Sequence, residues 1–230
     1  MIRGEWSSYV RGMDTRTLLD AVAESFARTG ATTPPWPDPH PDMGGPLEEE
    51  YSRCLDPGKY RILGARAEAW AQALTGLGLA VVEEVGDPVT AWREPSGNDM
   101  DRVLRLRPLR ARAVPLVLGF RAMDGVPGAV VEIGAGEPAV PAETLPQCGC
   151  DACDGGSDEF IEDFDRHVLA VVNGEFVHLG KKGNTLVSTG DGWSASGEFA
   201  GRRRGDIEGL LRDACAGRSR HGAVHGARWW

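Results

Sequence analysis

Apolar positions recur at helical spacing near the start of the chain. Leu18, Leu19, Val22, Ala23 and Phe26 follow Asp14 and end before Gly30. This predicts a helix over 15–29, with Asp14 as N-cap and Gly30 as the stop. A second stripe of Tyr60, Leu63, Ala67, Trp70, Ala71 and Leu74 predicts a helix from Asp56-Pro57 to about Leu77, closed by Gly76 and Gly78. The period then shifts to two. Residues 79–85, 102–107, 115–121 and 128–133 read as strands separated by turn signals such as Asp124-Gly125. Further on, Phe160, Phe164, Val168 and Val171 mark a helix over 158–172, capped by Ser157 and stopped at Asn173-Gly174. A hairpin over 175–179 and 185–189 follows, turning at Gly180-Lys-Lys-Gly183, and 206–216 reads as a last short helix.

Between these elements lie two proline-rich stretches. Residues 33–42 hold five prolines in ten positions, which excludes helix and central strand. They are expected to form an extended strap anchored by Trp36, with a ligand for a proline-recognition module as the alternative. Residues 134–146 read as a proline-punctuated loop. Helices, consecutive strands, then helix and hairpin imply a single α+β domain with a mainly antiparallel sheet. The expected organisation is an N-terminal extension over 1–13, the domain over 14–216 and a flexible tail over 217–230.

Composition narrows the class of function. The net charge of −9 argues against broad nucleic-acid or anionic-membrane binding, because a phosphate backbone repels such a surface. The expected partner is a protein or a small molecule. Residues 202–230 run the other way, with seven arginines against three acids. The Arg202-Arg-Arg204 patch reads as a solvated turn or, with Trp229-Trp230, as a contact surface for an acidic partner. No segment shows the apolar core of a secretory signal or the roughly 18 apolar residues of a membrane span. Five cysteines, three of them within six residues, do not fit a secreted disulfide framework, so the expected setting is cytoplasmic.

Those three, Cys148, Cys150 and Cys153, form a C-x-C-x-x-C loop. Short spacing lets neighbouring thiolates reach one ion, and zinc takes about four such ligands in a tetrahedron. Zinc is therefore the expected cofactor. His167 on the third helix is the candidate fourth ligand, with Cys54, His178 and His40 as more remote options. Two other readings stay open: a redox pair Cys150-Asp-Ala-Cys153 with Cys148 resolving, and ordinary unliganded thiols. An acidic run surrounds the loop (Asp151, Asp154, Asp158, Glu159, Glu162, Asp163, Asp165) and reads as a solvated face rather than a calcium site.

Two further motifs carry less. Glu132-Ile-Gly-Ala-Gly136 resembles the first motif of S-adenosylmethionine-dependent methyltransferases, but Pro138, Pro141 and Pro146 oppose the helix that motif needs. Gly180-Lys-Lys-Gly183 lacks phosphate-loop spacing and reads as a hairpin turn.

Taken together, the segment 51–63 (Tyr-Ser-Arg-Cys-Leu-Asp-Pro-Gly-Lys-Tyr-Arg-Ile-Leu) and the segment 148–159 (Cys-Gly-Cys-Asp-Ala-Cys-Asp-Gly-Gly-Ser-Asp-Glu) resemble an actinobacterial family, domain of unknown function 6226, over about 15–215. That resemblance implies a soluble bacterial protein and carries over no catalytic residue. The residues themselves point to a binding or interaction protein with a metal-stabilised loop. The alternative is a zinc- or thiol-dependent enzyme, whose catalytic residues the sequence does not identify.

Overall fold

Asp14 opens the first helix by accepting a hydrogen bond from the Thr17 N–H at 2.8 Å, and α1 spans Thr15–Thr29. Its last turn closes where Gly30 N–H returns to the Phe26 carbonyl at 2.8 Å. The computed structural model describes residues 13–41, 45–94, 100–181 and 183–230. Most of the expected N-terminal extension, the end of the proline strap at Asp42 and Lys182 in the hairpin turn lie outside them.

A 3-10 turn, Pro57–Tyr60, leads into α2, Arg61–Gly76. This is the central helix: Ile62, Leu63, Ala67, Trp70 and Leu74 are all buried, and α1 packs along it. Gly78, at φ 67, then turns the chain into the first sheet. Five strands follow in simple order, β1 Ala80–Glu84, β2 Arg102–Pro108, β3 Leu116–Met123, β4 Val126–Gly136 and β5 Ala139–Leu145, each antiparallel to the last. Asp124 and Gly125, both at positive φ, make the β3–β4 turn that the sequence signals.

Sequence and structure part company at 134–146. The expected loop is instead the end of β4 and the whole of β5. Proline is tolerated there because β5 is an edge strand and Pro141 faces Gly134 where the register shifts. The glycines of the methyltransferase-like motif have a packing role. A Cβ on Gly134 would sit 2.4 Å from the Trp92 ring, which covers the sheet face opposite the helices together with Ala91, Val103, Val117 and Ala139. No helix follows Gly136; the chain reverses into β5.

α3, Ser157–Val172, packs Phe164, Val168 and Val171 into the core shared with α2 and the first sheet. Gly156 at φ 85, not Ser157, precedes its first turn. A second antiparallel sheet runs β8-β7-β6-β9, with β6 Val177–Lys181, β7 Asn184–Ser188, β8 Trp193–Ala195 and β9 Ala223–His225. It packs on α4, Arg204–Cys215, through Leu179, Leu186, Phe199 and Ile207. Strand β9 overturns the expectation of a flexible C-terminal tail. Beyond it Trp229 is 2% exposed and donates its backbone N–H to the Val172 carbonyl at 2.9 Å, closing the end of α3. The α+β class with antiparallel sheets stands, and no described helix is long and apolar enough to cross a membrane.

Candidate metal centre

The sequence between β5 and α3 is too rich in cysteine, aspartate and glycine to form a long regular element, and it folds as one short 3-10 turn, Asp151–Cys153. Two aspartates pin it. Asp151 accepts from Arg53 Nε at 3.1 Å and from Leu55 N–H at 3.2 Å, while its own N–H donates to the Arg53 carbonyl at 2.9 Å. Asp154 is buried and accepts from Lys59 Nζ at 2.5 Å, Trp36 Nε1 at 2.8 Å and Gly156 N–H at 2.9 Å. Burial alone would raise the Asp154 pKa; these three donors hold it below the ordinary aspartate value. Part of the acidic run is therefore internal structure rather than a solvated face.

The strap meets the loop at the start of α3. The Trp36 carbonyl accepts from both the N–H and the hydroxyl of Ser157 at 3.0 Å, and the Trp36 N–H donates to the Ser157 hydroxyl at 3.1 Å. Ser157 is thus used to hold the strap, not to cap its helix. The Trp36 ring contacts Tyr60 and Phe160, which meet edge to face at 5.3 Å. Gly149 lies close against Met123: a Cβ there would fall 2.4 Å from its Sδ, and the methionine side chain would have to shift.

Held this way, the loop brings Cys148, Cys150 and Cys153 together, their sulfurs all within 4.8 Å of one another. Cys148 and Cys150 Sγ are 3.1 Å apart. A tetrahedral zinc with sulfurs at about 2.3 Å spaces them about 3.8 Å apart, so the cluster is of the right size to hold a metal ion. Cys150 is buried, whereas Cys148 and Cys153 are exposed. The hydrogen bond from Cys148 holds the Cys150 thiol below its usual pKa, and the sharing of protons with Cys150 pushes Cys153 up to about 12. A cluster of three thiols without a cation keeps protons because adjacent thiolates repel.

The other ligand candidates lie outside this group of sulfurs. His167 is buried; its Nδ1 lies 2.8 Å from the Asp163 carbonyl and its Nε2 3.4 Å from Glu143. His40 Nε2 is 3.3 Å from Glu50, and His178 lies on β6 in the second sheet. Cys54 sits between the two residues clamped by Asp151, next to the loop, yet outside the close group of sulfurs. At the start of α3 the Gly156 and Ser157 N–H groups go to Asp154 and Trp36 rather than to the sulfurs. Sequence reasoning missed Asp151, Asp154, Arg53 and Lys59 as the loop's supports. The only signal was that two of the acids lie in the Cys-Asp-Ala-Cys-Asp segment itself.

No curated protein and no solved structure matches the chain. A family model does match, over residues 22–230, and includes the C-terminal segment that the sequence-based resemblance left out. The chain belongs to this family of unknown function (DUF6226).

Proposed function

We propose that this is a non-catalytic binding protein in which zinc, held by Cys148, Cys150 and Cys153, pins the loop that sets the start of α3. The supporting observation is the approach of three sulfurs to within 4.8 Å of one another on a loop fixed by two internal aspartates. The fourth position falls to water or to a group supplied from outside, since both ring nitrogens of His167 are engaged. Such a site is a local staple. It closes the loop between the end of β5 and α3, beside the strap that Asp154 and Ser157 hold, and its metal-binding energy adds to the stability of that junction.

A thiol-dependent enzyme is the weaker reading. A reactive thiolate needs an electropositive setting, and here Asp151 and Asp154 flank the cysteines while the Gly156 and Ser157 N–H groups go to Asp154 and Trp36. The large groove on α3 is lined by Asp158, Ile161, Glu162 and Leu169 and holds none of the cysteines. A reducing compartment such as the cytoplasm fits this reading, since neighbouring cysteines stay available to a metal only while reduced.

Cobalt substitution tests the site. Three thiolates on tetrahedral cobalt give intense sulfur-to-metal charge-transfer absorption, which Cys150→Ser should diminish. A spectrum showing oxygen and nitrogen ligands only would remove the metal reading.

A further inference from the structure

α1 and α3 both pack on α2, and a groove of about 650 Å³ lies along the outer side of α3. Its floor is apolar, with Leu19 from α1 and Ile161 and Leu169 from α3, all only partly buried. It runs from Asp158 to Asn173, about 22 Å at the rise of an α-helix. The width is fixed from beneath by Arg66. This buried guanidinium lies 5.0 Å over the Phe26 ring of α1 and donates to both oxygens of Asp165 on α3, at 2.9 and 2.5 Å. Trp70 Nε1 adds a third bond to Asp165 at 2.7 Å. The groove is thus preformed.

Its charge is one-sided. Asp165 is neutralised from within by Arg66. Arg166, the single basic residue of the lining, is shared between Asp163 and Asp191. Asp158, Glu162 and Glu175 remain on the rim with no ion pair among the described residues. Asp158 and Glu162 are one helical turn apart at one end, and Glu175 lies at the other. An apolar floor between carboxylates selects a ligand with an aliphatic stripe and flanking cations, while lipid and nucleic-acid phosphates are repelled.

We infer that this groove binds a basic amphipathic helix of a partner protein, about four turns long, with lysines or arginines facing Asp158, Glu162 and Glu175. The inference rests on the reading of the chain as a binding protein and names its partner's chemistry. The metal-held loop would serve it by fixing the start of α3, where Asp158 stands.

The test is selection of phage-displayed random peptides of about 16 residues against the full chain. Selected peptides are then titrated into isotopically labelled protein and followed by NMR. Enriched sequences should carry aliphatic residues at helical spacing with flanking Lys or Arg, and should shift the amides of Leu19, Ile161 and Leu169. Glu162→Lys, an exposed change that leaves packing alone, should weaken them about tenfold, and a Lys→Glu exchange in the peptide should restore binding. Absence of enrichment, neutral or acidic binders, or shifts confined to another face would overturn the inference. Zinc content measured on the same sample keeps the two readings apart: basic peptides bound in the groove of a zinc-free, folded protein would retain this inference and remove the metal staple.

Discussion

The indole Nε1 of Trp36 donates to the Asp154 carboxylate at 2.8 Å, joining the proline strap to the residue that directly follows Cys153. Asp154 also carries the Lys59 ammonium and the Gly156 N–H, so one buried carboxylate ties together strap, α2 entry and cysteine loop. The order of the loop is therefore built by the protein, ready for an ion.

Asp154→Asn should destabilise the protein by about 3 kcal/mol in urea denaturation, because it leaves the largely buried Lys59 without its counter-charge. Trp36→Phe should cost about 1 kcal/mol and couple to it in a double-mutant cycle. Additive effects would show that the two do not act as one network. Because the folded Asp154 pKa is lowered, its contribution is complete above the ordinary aspartate value and is lost as pH falls through the folded value.

His178 should make stability fall with acid over a different window. Burial, with Arg93 adding to it, lowers its pKa to about 4 from 6.5, so the unfolded chain binds the proton first. Stability is full above pH 6.5 and declines toward pH 4, by up to about 3 kcal/mol. Comparing wild type with His178→Gln at pH 7 and pH 5 checks this; equal pH dependence in both would contradict it.

Gly134→Ala should cost about 1–3 kcal/mol, since its Cβ would fall 2.4 Å from the Trp92 ring. Shrinking that ring with Trp92→Phe in the Gly134→Ala background should recover part of the loss. A neutral Gly134→Ala would show that the ring does not rest there.

Trp229→Ala should cost about 3–5 kcal/mol, as expected for emptying a buried indole site. A change under about 1 kcal/mol would restore the view of the C-terminus as a tail.

The legibility of the chain follows from where its local signals agree with its packing. α1 could be read to the residue because Asp14, the apolar stripe and Gly30 all act within the helix itself. β5 could not, because prolines signal a loop wherever their missing N–H is needed, and only the finished sheet shows that β5 is an edge. The terminal strand and Trp229-Trp230 were obscured by the surrounding arginines and glycines, and their burial depends on α3 and the second sheet. The cysteine cluster was readable from spacing alone. Its supports, Arg53, Lys59 and Trp36, come from about 95 to 118 positions away and have no local pattern.

The central claim is that the three sulfurs hold zinc. Elemental analysis of protein purified from metal-replete cells under reducing conditions, paired with a thiol count, tests it most directly. The account predicts about one equivalent of zinc, falling sharply in Cys150→Ser, because structural zinc normally survives purification. Less than about 0.2 equivalents in a sample whose thiols are fully reduced would contradict it.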